Sequence, residues 1–566
     1  MYRPDLSPVA DSLALSALAG ALPLLTLFVL LGAVRLKAHW AGLAALAVAV
    51  LVAVTAYGMP PGLALLAGAE GAAFGLFPIM WIVVAALWVH QLTVFSGRFE
   101  DLRRSFNLVS DDPRVQALLI AFCFGALLEA LAGFGAPVAI TGVMLMALGF
   151  SPVRAAVTAL VANTAPVAFG AVATPIITAG SLTGISYEDI GAYVGRQTPL
   201  LALFVPLLLV ALVDGVRGMR QTWPVALVCG AAFALAQFVS ASFVSVELTD
   251  IIASLVSLAA VVGFLRLWRP AGGARVRESL RTAAVREGAD ARSDGPEPSD
   301  AGAGAARDGA RDGEGARPGT ARMLLAFLPY LVVIAVFSVA KLWDAAEEFL
   351  AGTDAQVAWP GLDGQVLTAA GERSSTTVYA FPWLSSPGSL LLLCGVLVAA
   401  AYRLRIADAA REFARTVVSL RWALLTVACV LALAYVMNLS GQTVTVGTWI
   451  AGAGAAFAFL SPLLGWLGTA VTGSDTSANA LFATLQQSAA GRAGLDPTLL
   501  VAANTSGGVV GKMISPQNLT IAATAVGLTG RESELFRKAI AWSLLLLLVL
   551  CLLVFAQSHG LAWMLP

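Results

Sequence analysis

The chain has 566 residues, 58% of them hydrophobic and only 12% charged, with 34 basic residues against 34 acidic ones; its mean hydropathy is +0.83. Soluble domains carry about twice that charged fraction, which excludes an ordinary water-soluble globule. A net charge of zero with no basic stripe excludes nucleic acid as a partner.

Charge-free runs mark the membrane segments in chain order: 12–34, 71–97, 155–187, 221–246, 374–402, 422–474 and 539–566, of which 422–474 is long enough for two crossings. A bilayer core of about 30 Å takes roughly 20 apolar residues of helix. Helices and closed barrels alone satisfy their backbone polar groups in lipid, and strand-like alternation is absent. The expected fold is therefore an all-α integral membrane protein with about 12 transmembrane helices. The first run is too long for a signal peptide, and a second follows almost directly.

Basic residues crowd alternate connections: Arg35 and Lys37; Arg98, Arg103, Arg104 and Arg114; Arg217 and Arg220; the Arg-rich 266–322; then Arg403, Arg405, Arg411, Arg415 and Arg421. Between them, 58–69, 244–250 and 439–447 carry none, and 343–386 carries Arg373 alone. This alternation puts the basic loops in the cytoplasm and both termini outside. Residues 270–320 are rich in Gly, Ala, Arg, Asp and Pro, with almost no large apolar residue. Such a segment cannot offset its ordering entropy and is expected to be a disordered cytoplasmic linker. It separates a first membrane half, 1–269, from a second, 321–566.

The halves share a pattern. Asn163-Thr164 and Asn504-Thr505 are each followed by a Gly seven residues on, Gly170 and Gly511, and by a hydroxyl-Pro pair, Thr174-Pro175 and Ser515-Pro516. Upstream, Gly133-Phe-Gly135-Ala-Pro137 and Gly473-Ser-Asp475-Thr-Ser precede their Asn by similar distances. The reading is a duplication, with repeat units over about 115–200 and 466–530. Paired Gly- and Pro-interrupted segments point to a transporter's binding site. Backbone freed by a mid-membrane break must be protein-buried or face a water-filled cavity, and N–H groups at a half-helix start hold anions.

Glu129, Asp475 and Lys512 each stand alone in uncharged sequence beside a repeated motif. Intramembrane ionisable groups are expensive, so function is their default reading. Glu70 is also isolated but reads as an external helix end. Arg196, in Gly195-Arg196-Gln197, is equally suited to substrate contact and to interfacial anchoring. His39, His90 and His559 have no metal-ligand spacing, and Cys123, Cys229, Cys394, Cys429 and Cys551 stand singly in apolar sequence, so neither a metal site nor a disulfide framework is expected. The Gly511-Lys512 segment lacks the first Gly and the closing Ser/Thr of a phosphate-binding loop. No cofactor and no enzymatic activity are expected.

The motifs Glu129-Ala-Leu-Ala-Gly-Phe-Gly-Ala-Pro-Val-Ala-Ile140, Asn163-Thr-Ala-Pro-Val-Ala-Phe-Gly170, Gly195-Arg-Gln, Val213-Asp-Gly-Val-Arg-Gly218, Thr472-Gly-Ser-Asp-Thr-Ser-Ala-Asn-Ala-Leu-Phe482 and Gly511-Lys-Met-Ile-Ser-Pro-Gln517 resemble those of bacterial L-lactate permeases. The resemblance covers nearly the whole chain and is weakest over 270–370. It implies proton-coupled uptake of L-lactate, with glycolate and related 2-hydroxy monocarboxylates, across the bacterial plasma membrane. The family's grouping in the ion transporter superfamily implies re-entrant hairpins, broken helices and an elevator-like homodimer. That superfamily also implies opposite topologies for the two repeat units, whereas the charge tally has both entering from the cytoplasm.

Two half-sites, around 133–175 and 473–518, are then expected to converge near the midplane. Half-helix N–H groups and the hydroxyls of Thr164, Thr505, Ser474, Thr476 and Ser515 would meet the substrate carboxylate; Asn163 and Asn504 would take the 2-hydroxyl. Glu129 or Asp475 would carry the proton, since burial favours a neutral carboxyl. Lys512 is either the substrate's counter-ion or the partner of Asp475. The expected partners are the carboxylate substrate, protons and membrane lipid. A channel or exchanger for other small organic anions is the alternative.

Overall fold

The structure is a computed structural model that describes the chain except for residues 102–109, 134, 281, 283–319, 369–370 and 372. It opens with α1 (Leu13–Phe28), α2 (Ala38–Thr55), α3 (Pro61–Phe74) and α4 (Trp81–Phe95). Next, α5 (Pro113–Ala117) runs through a π-helical stretch, Leu118–Phe124, into α6 (Gly125–Ala132), followed by α7 (Ala136–Ala147), α8 (Pro152–Ala162) and α9 (Gly170–Thr183). The first half closes with α10 (Tyr187–Val194), α11 (Thr198–Phe243) and α12 (Thr249–Leu267).

The second half begins with α13 (Thr320–Leu342), α14 (Asp344–Ala351) and a small antiparallel hairpin of β1 (Ala355–Ala358) and β2 (Val378–Phe381). Then come α15 (Pro387–Ala401), α16 (Ile406–Ser419), α17 (Arg421–Leu439), α18 (Gln442–Ile450) and α19 (Phe457–Thr472). It ends with α20 (Asp475–Ala493), α21 (Pro497–Gly511), α22 (Pro516–Ala525) and α23 (Glu532–Gln557). The all-α class expected from composition is what forms.

Among the described residues, 9 helices are long and apolar enough to cross a membrane, or 11 if each bent pair is one span. The expected count of about 12 is not reached this way, because several helices are broken rather than separate. Thr198–Phe243 has 46 residues, about 69 Å of helix, more than twice a hydrocarbon core. Gly215, at φ 66 and ψ −162, breaks it beside Arg217 and Arg220, where the charge tally puts a connection. The bend is clamped by Arg114, wholly buried, whose guanidinium donates to Asp214 at 3.1 Å, to Asp112 at 2.7 Å and to Gln221 at 2.7 Å.

The same Arg114 donates to the carbonyl of Ala271 at 2.8 Å. Residues 273–280 are helical, with Val276 and Leu280 buried. The expected linker over 270–320 is thus ordered at its start, because those two apolar residues, four apart, present one face. Residues 283–319 of it lie outside the described residues.

Burial shows what is central. The span Pro113–Leu131 is buried along its whole length, whereas Leu13–Ala33 and Thr198–Phe243 leave most of their apolar surface outward. α17 packs on α2 and α3, and α15 on α4, so the halves interlock around that central span. Closest to it, α9 of the first half packs on α20 of the second, and α22 lies across α7.

Candidate functional site

Each half contributes a sharp reversal at a left-handed glycine. α6 ends at Gly133, with φ 34 and ψ −151, and Gly135, at φ 84, leads into α7 with Pro137 in its first turn. α19 ends at Gly473, with φ 80 and ψ 2. Ser474 then caps α20, its Oγ accepting the Ser477 N–H at 3.3 Å. Side chains cannot take these backbone angles without strain, so glycine fixes where each chain turns back.

The Asn-Thr segments do not match in this way. α8 stops at Ala162 because Pro166 lacks an N–H and disfavours helix in the residue before it. A short 3₁₀ turn, Val167–Phe169, follows, and α9 starts with Ala171, Val172 and Ala173 all left-handed, at φ 44, 56 and 56. A left-handed turn of non-glycine residues costs about 1–2 kcal/mol per residue. The Thr174 hydroxyl, donating to the Ala171 carbonyl at 2.5 Å, helps hold it. In the second half α21 runs unbroken through Asn504 and Thr505 to Gly511, since Gly507 stands where the first segment has Pro166. The break falls later, over Lys512–Ile514, and Ser515 caps α22 with Pro516 in its first turn.

These turns bring the three lone charges together. The Lys512 ammonium donates to Glu129 Oε1 across 383 residues of sequence, and both side chains are more than nine-tenths buried. The charge partner of Lys512 is therefore Glu129, not Asp475. Gly170 makes this possible, since a β-carbon there would stand 3.0 Å from Glu129 Oε1. Asp475 stands beside them in the first turn of α20, its Oδ1 accepting the Thr469 hydroxyl at 3.4 Å. Gly508 leaves room for it, because a β-carbon there would land on that same oxygen. Glu129 Oε2 and Asp475 Oδ2 have no hydrogen-bond partner among the described residues.

Glu129, Lys512, Asp475, Ser474, Thr476 and Ala171 line one cavity, which takes the centres of water molecules over about 30 Å³. That is room for about two waters. A tighter crevice on the other side of Lys512 is lined by Asn163, Thr164 and Asn518. Asn163 Oδ1 is buried without a partner among the described residues, while the Thr164 hydroxyl is spent on the Val161 carbonyl at 2.7 Å. The cluster is buried and holds both signs of charge.

Asn504, Thr505 and Arg196 are not brought to it. The Asn504 amide accepts from Gln486 at 3.3 Å and donates to Asn479 Oδ1 at 3.0 Å, where the Thr505 hydroxyl also arrives at 2.9 Å. A β-carbon at Gly465 would land on the Asn504 carbonyl, so this is a close crossing of α19 and α21. Ser515 Oγ accepts from Asn518 at 2.8 Å and donates to the Lys512 carbonyl at 3.0 Å, bracing the break beside Lys512. Arg196 donates to the Ala192 carbonyl at 2.7 Å and to Ser242 at 3.1 Å, and lies over the Phe238 ring.

Several buried groups escaped the sequence reading. Asn479 joins Asn504 and Thr505 to the Asp475 backbone, to which it donates at 3.2 Å; its place four residues after Asp475 in the long motif was the available signal. Asp250 is 1% exposed, although 244–250 reads as a bare external loop. Glu70 is not an external helix end: it is fully buried, with neither oxygen partnered among the described residues. It sits where Gly71 lets α3 approach the Leu431 carbonyl of α17.

A family model described as L-lactate permease matches residues 16–560. The chain belongs to the L-lactate permease family. It is 42% identical over 570 residues to the glycolate permease GlcA of Escherichia coli, covering 99% of this chain and 98% of that one. It is 41% identical over 577 residues to an L-lactate permease of Bacillus subtilis, covering 99% of each. Among solved structures it is similar to the YdaH transporter of Alcanivorax borkumensis, at 14% identity over 88% of each chain with a TM-score of 0.44, a likeness too slight to fix topology or chemistry. Family membership and at least 9 apolar helices of spanning length among the described residues make this L-lactate permease homologue a multi-pass membrane protein.

Proposed function

We propose that the protein is a secondary active transporter, not an enzyme, that imports L-lactate, and glycolate as a related 2-hydroxy monocarboxylate, together with protons. Relatives at about 40% identity named for L-lactate and glycolate support the substrate class. The buried Glu129–Lys512 pair beside the cavity is the observation that carries the mechanism.

Lactate is an anion at neutral pH, and Lys512 is the cation that lines the cavity among the described residues. While Glu129 is ionised, it holds that cation. A proton on Glu129 releases Lys512 to meet the substrate carboxylate, with Ser474 and Thr476 and the first N–H groups of α20 as further donors and Asn163 available to the 2-hydroxyl. Both states are neutral overall: carboxylate with ammonium before, neutral acid with ammonium and lactate after. Either ligand alone leaves one buried charge unmatched, at about 3–5 kcal/mol, or roughly two to four decades of affinity. Coupling follows from that penalty. Asp475, which lines the same cavity, is the second carboxyl that can take part.

Labelled lactate accumulation in proteoliposomes is the test. An inward-acid pH gradient should drive uptake above equilibrium, and a sodium gradient should not. Uptake indifferent to pH, or driven by sodium, would sink the reading.

A further inference from the structure

Resting on that proton-coupled reading, we propose that Asp250 is a second proton-binding site, the group through which a proton entering at the turn between α11 and α12 reaches Glu129. Asp250 stands in the first turn of α12, 1% exposed. Among the described residues it has no basic partner, and its Oδ2 has no hydrogen bond. Its Oδ1 accepts from Gln237 Nε2 at 3.2 Å. A buried carboxylate with no cation to meet is costly, and such a group settles the cost by taking a proton.

The surroundings form a line of carboxyls. Three residues earlier, at the α11–α12 turn, buried Glu247 accepts the Tyr187 hydroxyl at 3.0 Å and the Ser245 hydroxyl at 2.8 Å. On the other side α12 packs against α6, the helix that carries Glu129. Glu247, Asp250 and Glu129 thus step inward from a turn that the charge tally places outside. Carboxyl series of this kind are how membrane proteins relay protons. Two turns along, the thiols of Cys123 and Cys229 meet Ser257 at 3.5 and 3.4 Å, and the charged residues Asp214, Arg217 and Arg220 of α11 and Arg266 of α12 lie towards the other end of the pair.

Gln237 gives the line a second connection. The Thr198 hydroxyl, which donates to the Val194 carbonyl at 3.1 Å, also lies 3.4 Å from Gln237 Oε1. The Gln237 Nε2 serves both Asp250 and the Ala165 carbonyl, at 3.2 Å each. Ala165 lies in the α8–α9 break, two residues from Asn163. Protonation of Asp250 weakens one of these bonds, so the proton state of the line is felt at the cavity wall. The step is a proton transfer alone: Asp250 binds a proton from water at the turn and passes it to Glu129, which then gives up Lys512.

The test uses full-length protein in proteoliposomes, wild type and Asp250→Asn, with two readings. Gradient-driven lactate accumulation should fall about tenfold or more in Asp250→Asn, while labelled lactate counterflow at equal pH stays within about twofold. Asp250→Glu should restore accumulation. Wild-type accumulation in Asp250→Asn would overturn the inference, as would loss of both activities in Asn and Glu variants alike. Infrared difference spectra between acid and alkaline pH give a reading independent of lactate. A carboxylic-acid band present in wild type should be missing from Asp250→Asn, and an unchanged band would also overturn it. If wild-type vesicles ignore the pH gradient while that band is lost, the symport reading fails and the proton site at Asp250 stands.

Discussion

The segments 163–175 and 504–516 share an Asn-Thr start, a Gly at the same offset and a hydroxyl-Pro finish, yet they fold differently. In the first, the helix breaks at once, a 3₁₀ turn carries the chain to Gly170 beside Glu129, and a left-handed turn follows. In the second, helix continues through Asn504 and breaks only at Lys512. One residue type accounts for most of the contrast, Pro166 against Gly507. The shared spacing singles out two segments, but local backbone chemistry decides which residue faces the cavity.

The largest effect should come from the end of the second segment. Lys512→Gln leaves Glu129 buried without its cation, at about 3–5 kcal/mol, and should reduce lactate uptake to background. Adding Glu129→Gln should recover much of the lost thermal stability but not the uptake, as followed by unfolding in detergent. Equal stability of the single and double variants would show that the pair is not energetically linked.

Next come the two asparagines, which the twin spacing alone would treat as equals. Asn504→Ala strands the partners of a buried network and should cost about 1–3 kcal/mol of stability, with lactate affinity per folded molecule nearly unchanged. Asn163→Ala removes a group with a free oxygen beside the crevice, and should weaken lactate binding about 2- to 10-fold with stability intact. The same shift in both quantities for both variants would erase the distinction.

Gly508→Ala sharpens it further. A β-carbon there meets Asp475 and also stands 2.6 Å from the Thr469 hydroxyl, so it should move the carboxyl and lower transport severalfold. Thr164→Val should be the mildest, about 1 kcal/mol or less, since that hydroxyl serves only its own helix end. A Thr164→Val variant as damaged as Gly508→Ala would mean that the crevice, not the Asp475 wall, receives the substrate.

Much of this was legible in the sequence. The membrane class follows from charge spacing, and the helix reversals at Gly133 and Gly473 lie in the motifs that flank the lone charges. Glu129, Asp475 and Lys512 were singled out by isolation alone. Their pairing was not legible, because Glu129 and Lys512 are 383 residues apart and nothing in spacing tells which way a helix face turns. Asp250 and Glu70 were passed over because each stands near a predicted loop; only packing, of α12 on α6 and of α3 on α17, shows that they are enclosed. Three consecutive left-handed residues at Ala171–Ala173 carry no glycine signal at all.

The central claim is that Glu129 gives up Lys512 when it takes a proton. Its most direct test is lactate affinity against pH, by calorimetry on purified wild type and Glu129→Gln. In wild type the affinity should fall as pH rises, by up to about tenfold per unit for one linked proton. In Glu129→Gln, where Lys512 is permanently released, affinity should be as tight as wild type at acid pH and flat with pH. A Glu129→Gln protein that keeps the wild-type slope would contradict the account and move the coupling proton to another group.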